Sequence, residues 1–149
     1  MLVYVDDLIL AAAELKEIIW IKTALAKAFQ MTDLGELKTF LGLEMSRERN
    51  QRLLTLHQKK YINKILQRHR MEDTEPSYTL LDPGKRLPSY KDLSPGQREV
   101  KTIDTEVYQS AVRSLMYAML GTRPDIAYSV GLVSQFNHAP VWEHWIVVK

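Results

Sequence analysis

The chain has 149 residues, 46% of them apolar and 26% charged, with a net charge of +2 and no cysteine. That length suits one domain or parts of two, with enough apolar residues for a packed core. The lack of cysteine excludes disulfides, thiolate metal sites and cysteine nucleophiles, and the small net charge says little about partners.

The chain opens on Leu2–Val5, meets two adjacent acids, Asp6 and Asp7, and continues at once into Leu8–Ala12. Apolar runs on both sides of a polar pair predict two strands joined by a tight turn. On its own such a pair is more often a solvated turn, but it also holds two carboxylates at one sheet edge, the oxygen ligands that hard cations take. From Glu14 to Phe29 the spacing predicts a helix, with Leu15, Ile18, Ile19, Leu25 and Phe29 as its apolar stripe. Met31–Gly35 breaks the pattern. Leu37–Met45 then alternates loosely, Ser46–Arg52 reads as a polar turn, and Leu53–Leu56 as a partner strand. This is a second hairpin. Gly42 within it weakens the strand and permits close approach of another backbone.

Gln58–Arg70 is expected to be a helix with Tyr61, Ile62, Ile65, Leu66 and His69 along one stripe and Lys60, Lys64 and Arg68 along the next. Between Ser46 and Arg70 stand eight Lys or Arg against one acid, Glu48, a local excess of +7. Such a cluster suits a phosphate backbone, and reads equally as a solvated face. Glu72–Asp104 holds four of the six prolines and reads as an extended connection, with a short strand at Tyr78–Leu81. Thr105–Leu120 is predicted as a helix that buries Val107, Ala111, Leu115, Met116, Met119 and Leu120 and stops at Gly121. Thr122-Arg123-Pro124-Asp125 resembles a capping box that restarts a helix over Ile126–Phe136, and Pro140 opens a third. The first two are expected to pack as a helical hairpin. The four histidines show no zinc-like spacing, and no nucleophilic triad is apparent.

No apolar stretch approaches the roughly 20 residues that span a bilayer, so no membrane partner is expected. The amino terminus lacks the basic region of a signal peptide, which leaves cytoplasm or nucleus. Both ends look cut in mid-pattern, so a piece of something longer is expected.

Tyr4-Val5-Asp6-Asp7 resembles the active-site hairpin of reverse transcriptases. Asp33-Leu34-Gly35-Glu36-Leu37 and Phe40-Leu41-Gly42-Leu43-Glu44 look like the segment that follows it in copia-type (LTR) retrotransposon polyproteins. Tyr108-Gln109-Ser110-Ala111-Val112, Ser114-Leu115-Met116-Tyr117 and Thr122-Arg123-Pro124-Asp125-Ile126-Ala127-Tyr128 are similar to the later part of the same domain. Each block is modest, but their order and spacing agree along nearly the whole chain.

The resemblance implies an α+β chain: β-hairpins left from a palm, then thumb and connection helices of a right-hand polymerase fold, incomplete. Residues 1–45 would be the C-terminal half of the palm, 46–71 the primer-grip and thumb hairpin and helix, 72–104 an extended linker, and 105–149 a truncated helical connection. Asp6 and Asp7 would be catalytic and would ligate Mg2+ or Mn2+. Tyr4, Val5, Phe40, Leu41, Gly42, Lys60, Lys64 and Arg68 would face primer or nucleic acid. RNA or DNA template-primer and a deoxynucleotide would be partners of the intact enzyme, together with the missing fingers, first palm strand and ribonuclease H segment. Without that strand's aspartate the chain alone is expected to be an inactive RNA-directed DNA polymerase piece. A non-catalytic nucleic-acid-binding remnant is the alternative, and a piece that never folds stably is a third. Two positions depart from the family: Thr79-Leu80 replaces Thr-Pro, and Arg113 replaces a glycine. A charged Arg113 in a helix-packing position is expected to loosen the connection.

Overall fold

The computed structural model describes residues 1–75, 81, 86–94, 96 and 102–149. They form an α+β chain in two units, Met1–Phe40 and Leu41–Lys149.

The first unit begins with β1 (Leu2–Tyr4) and β2 (Asp7–Ile9). They pair antiparallel, Leu2 against Ile9, Val3 against Leu8 and Tyr4 against Asp7. The predicted hairpin is present, with its boundary one residue earlier: Val5 and Asp6 make the turn, while Asp7 already belongs to β2. Helix α1 (Leu15–Ala28) follows, and its C-terminal closure is the Phe29 N–H donating to the Leu25 carbonyl at 2.8 Å. The predicted stripe is only partly covered. Ile18 and Leu25 are half-buried, whereas Leu15, Ile19 and Phe29 are exposed. The two strands are only three residues each and cannot cover a helix of fourteen. Beyond α1, Asp33 accepts Lys22 Nζ on both oxygens, at 2.7 and 2.9 Å, and the Gly35 N–H at 2.9 Å. These bonds hold the Asp33 carboxyl below its ordinary pKa, the Lys22 bond foremost. The unit closes on β3 (Thr39–Phe40).

The second unit opens on Leu41-Gly42, whose φ angles are +48° and +75°. The strand expected over Leu37–Met45 is therefore broken there. β4 (Leu43–Glu48) pairs antiparallel with β5 (Leu53–His57), Glu44 against His57 through Glu48 against Leu53. Ser46–Glu48, expected in the turn, extend β4, and the turn is a 3-10 segment, Arg49–Gln51, closed by Arg52 at φ +52°. Alternating polar and apolar partners let a strand run through polar residues when one face meets water.

Helix α2 (Lys59–His69) ends at Arg70, which has φ +55°. The Met71 N–H reaches the Leu66 carbonyl and the Arg70 N–H the Gln67 carbonyl, the paired closure of a Schellman motif. Tyr61, Ile62, Ile65 and His69 are half-buried as expected, and Leu66 is exposed. Residues 78–80 of the strand expected at 78–81, and with them the Thr79-Leu80 departure, lie outside those described.

Helix α3 (Thr105–Gly121) starts where Asp104 accepts the N–H groups of Glu106 and Val107. Its buried face differs from the predicted one. Tyr108, Ala111, Val112, Ser114 and Ala118 are buried, whereas Val107, Met116 and Leu120 are exposed, Leu120 by 78%. Close helix packing selects small residues and one tyrosine over the longer apolar chains. A 3-10 turn (Pro124–Ile126) leads to α4 (Ala127–Ser134), so the second helix is shorter than Ile126–Phe136. Thr122 is no cap: its hydroxyl donates to Gln58 Oε1 at 2.9 Å. Helix α5 (Trp142–Val148) follows Val141, which bridges Thr102.

The core lies among α3, α4 and α5, with Tyr108, Val112, Val133 and Trp145 at its centre and Leu87 joining it. The α3–α4 pair packs as the predicted hairpin. The Tyr108 hydroxyl donates to the Val133 carbonyl at 2.8 Å, and Gln109 Nε2 to the Asn137 carbonyl at 2.8 Å. Burial pushes the Tyr108 phenol up to about 12. His144 is fully buried and stacked on Phe136 at 3.8 Å. Its Nδ1 accepts the Val141 N–H at 3.0 Å and its Nε2 donates to the Pro88 carbonyl at 2.8 Å, so it is neutral and structural. Among the described residues no helix is long and apolar enough to cross a membrane.

Candidate functional site

Val5 is the first residue of a two-residue hairpin turn and has φ +49°. Turns that match the twist of a hairpin need positive φ at this position, and glycine normally supplies it. A β-branched residue is strained there by about 1–3 kcal/mol. The turn closes the β1–β2 ribbon at its end, beyond the Tyr4–Asp7 pair. Val5 is 82% exposed, and Asp6 and Asp7 are exposed beside it. Tyr4, opposite Asp7, meets the Phe40 ring edge-on at 6.2 Å. The first unit thus brings together Tyr4 and Phe40 and presents Val5, Asp6 and Asp7 to solvent.

These carboxylates fit a hard divalent cation in donor type, since magnesium takes carboxylate oxygens and usually completes its shell with water and substrate phosphate. The set is small. Among the described residues no group of three or more Asp, Glu or His could hold a metal ion. Asp6 and Asp7 can supply part of such a shell.

In the second unit Gly42 does permit a close approach, but by a side chain. The Tyr117 hydroxyl donates to the Leu41 carbonyl, and a Cβ at Gly42 would sit 2.6 Å from that hydroxyl oxygen. With φ at +75° as well, the position is closed to other residues. Leu41 is exposed at the bend.

Lys60, Lys64 and Arg68 are exposed along α2. Lys60 is engaged: its Nζ lies 3.2 Å from Glu44 Oε1, and its backbone N–H donates to Glu44 Oε2 at 3.4 Å. His57 Nδ1 is 3.0 Å from the same Oε2. Burial alone would raise the Glu44 pKa, but the bonds from Lys60 and the charges of Lys60 and His57 hold it below its ordinary value. This cluster ties the start of α2 to β4, and the sequence pattern does not disclose it. The one signal available there is a carboxylate on the strand facing a basic helix start.

Arg113 is exposed on α3 and so does not occupy a packing position. It lines a groove with Arg68, an arrangement that the linear spacing of the two residues could not disclose.

The pattern of the family described as reverse transcriptase (RNA-dependent DNA polymerase) matches residues 1–83, more than half of the chain. The retrovirus-related Pol polyprotein from transposon TNT 1-94 of Nicotiana tabacum is 43% identical over all of this chain and 11% of its own length. The corresponding polyproteins from transposons RE1 and RE2 of Arabidopsis thaliana are 35% and 31% identical over all of this chain and 10% of theirs. The chain thus spans about a tenth of the length of these relatives. No solved structure matches it. With the Tyr4-Val5-Asp6-Asp7 hairpin inside the matched segment, the chain belongs to the reverse transcriptase family of retrotransposons.

Proposed function

We propose that this chain is the C-terminal palm, thumb and connection portion of a retrotransposon RNA-directed DNA polymerase, and that it carries one of the enzyme's two carboxylate sources. Residues 1–45 then belong to the palm, 46–71 to the primer grip and thumb, 72–104 to a linker and 105–149 to the connection. The observation that carries the reading is the strained turn at Val5, which exposes Asp6 and Asp7 at the end of a ribbon. Strain of this kind persists where a geometry is used.

In the intact enzyme a primer 3′-hydroxyl attacks the α-phosphate of a deoxynucleotide and pyrophosphate leaves. Magnesium or manganese, when bound, stabilises the attacking and leaving oxygens. Asp6 would hold the cation, with Asp7 beside it on the primer side. Tyr4, Val5 and Phe40 would form a surface under the primer end, and Leu41 and Gly42 the bend that grips it. Two exposed carboxylates alone hold a hard cation weakly. The isolated chain is therefore expected to lack polymerase activity. Primer extension on an RNA template with magnesium tests this: no product is expected, and product that disappears in Asp6→Asn would overturn the inactivity.

A second reading, a nucleic-acid-binding piece without catalysis, rests on the exposed basic residues between Arg47 and Arg70. A gel shift should then show steeply salt-dependent binding. Lys60→Ala with Lys64→Ala should weaken it, and salt-independent or absent binding would remove the reading.

A further inference from the structure

Helices α2 and α3 flank an open groove of about 280 Å3, lined by Tyr61 and Arg68 from α2 and by Ser110, Arg113, Ser114 and Tyr117 from α3. The α3 residues fall at helical spacings of three, four and seven and so share one side of the helix. Tyr61 and Arg68 are seven apart and share a side of α2 in the same way.

The floor of the groove is fixed. The Tyr61 hydroxyl donates to the Ser114 carbonyl at 3.2 Å, and the Tyr61 and Tyr117 rings meet edge-on at 4.6 Å. The Tyr117 hydroxyl donates to the Leu41 carbonyl, and the Ser114 hydroxyl to the Ser110 carbonyl at 2.8 Å. Three of the four lining hydroxyls thus direct their protons to backbone. What remains to meet a ligand is the Ser110 hydroxyl and two guanidinium groups.

No acid lines the groove. Among the described residues, neither Arg68 nor Arg113 is in an ion pair, although Lys22, Lys60 and Arg123 each have one. Arg68 already acts on its surroundings: after burial, its charge is the next cause that holds the His69 pKa down. Both guanidiniums line the same groove without an acid beside them, so an anion there would meet two positive groups. Each carries five donors in a fixed fork, a match for the paired oxygens of a phosphate. The two non-bridging oxygens of a backbone phosphate can each accept from a guanidinium, so one phosphate can bridge forks on different helices. The groove is open to solvent and cannot enclose a small molecule, but a polymer backbone can run through it. Lys64, one turn before Arg68 and exposed, extends the positive track along α2.

We propose that Arg68 and Arg113 clamp a phosphate of a nucleic-acid backbone in this groove, a binding site made jointly by α2 and α3. The phosphate chemistry stands on the groove itself, and the choice of a nucleic acid as its source rests on the function proposed above.

The test uses the full chain, with a short RNA–DNA hybrid and inorganic phosphate as probes. Hybrid affinity is measured across a salt series for the parent, for Arg68→Ala/Arg113→Ala and for Arg113→Lys. The double variant should bind roughly tenfold or more weakly. Its logarithmic salt slope should fall by about 1, since the one phosphate that is no longer neutralised removes on the order of 0.9 from it. Arg113→Lys keeps the charge and loses the fork, so it should recover the slope better than the affinity. Both arginine side chains are exposed, so helix content by circular dichroism should be unchanged. In the parent, phosphate should shift the Nε–H resonances of Arg68 and Arg113 together. Hybrid binding with the same affinity and slope in the double variant would overturn the groove and leave the proposed function standing. Phosphate shifts without any hybrid binding would overturn the backbone site and count against the nucleic-acid reading as well.

Discussion

Gly121→Ala is expected to destabilise the protein, although helices ordinarily favour alanine. A Cβ at Gly121 would lie 2.4 Å from Gln58 Oε1, 2.5 Å from its Cδ and 2.6 Å from its Nε2. Gln58 is only 1% exposed, and its Oε1 accepts the Thr122 hydroxyl. Its amide cannot swing clear without giving up that bond. Alanine in place of glycine in a helix gains about 1 kcal/mol. Against this stand about 1 kcal/mol for the hydrogen bond and about 1–3 kcal/mol for overpacking. The net is a loss of about 1–3 kcal/mol. Gly131 in α4 is the control, because nothing lies within 4 Å of the Cβ it would gain. Gly131→Ala should stabilise by about 0.5–1 kcal/mol. Both are measured by urea unfolding in a Trp20→Phe background. The fluorescence then comes from Trp142 and Trp145, which belong to the same unit as both glycines. A Gly121→Ala midpoint at or above the parent's, or shifts of the same sign in the two variants, would refute the reasoning.

Three further outcomes follow from the same geometry. Burial holds the His144 pKa below its ordinary 6.5, against the opposing pull of the Pro88 carbonyl and Glu143. The unfolded chain then binds more protons below pH 6.5. Stability should therefore be full above that pH and fall as pH drops toward the folded pKa. His69 is shifted in the same direction by burial and Arg68. Melting temperature between pH 7 and 5 should fall less steeply in His144→Gln, and an undiminished slope would reject the assignment. Val5→Gly should relieve about 1 kcal/mol of turn strain and slow amide exchange in β1 and β2, and unchanged exchange would mean that the turn is unstrained. In the parent, amides of α3 around Val112 should exchange far more slowly than those of the β1–β2 ribbon; equal protection would contradict the division into a packed and an exposed unit.

The elements themselves are legible because periodicity is local. The first hairpin, α1, α2 and the α3–α4 pair all stand near where alternation or helical spacing puts them. What fails depends on neighbours. Leu120 fits an apolar stripe but is exposed, while Ser114 looks polar and is buried, because its hydroxyl bonds to the Ser110 carbonyl one turn back. Gly121 reads as a helix stop from its place in the sequence. It is the last helical residue, and the pressure on it comes from Gln58, sixty-three positions away in sequence. Gly42 reads as a place of close approach and is one, but a tyrosine ring makes the approach. The candidate carboxylates are legible from four residues. The Arg68–Arg113 groove is not, because it exists only once two helices pack.

The uneven distribution of the core bears on function. Every buried residue of the described chain lies between Gln58 and Trp145, in the second unit. The unit that carries Asp6 and Asp7 has none, and its strands and helix leave Leu2, Val3, Leu15, Ile19, Trp20 and Phe29 largely exposed. A hairpin without further strands is marginal in water. A metal-holding constellation has to be rigid to well under an ångström to be useful in catalysis. Stability and proposed chemistry thus reside in different units. The second unit holds the buried core that a fixed binding surface requires, whereas the carboxylate turn sits on a ribbon and helix whose apolar side chains are exposed. That asymmetry is a physical reason to expect binding from this chain without polymerisation.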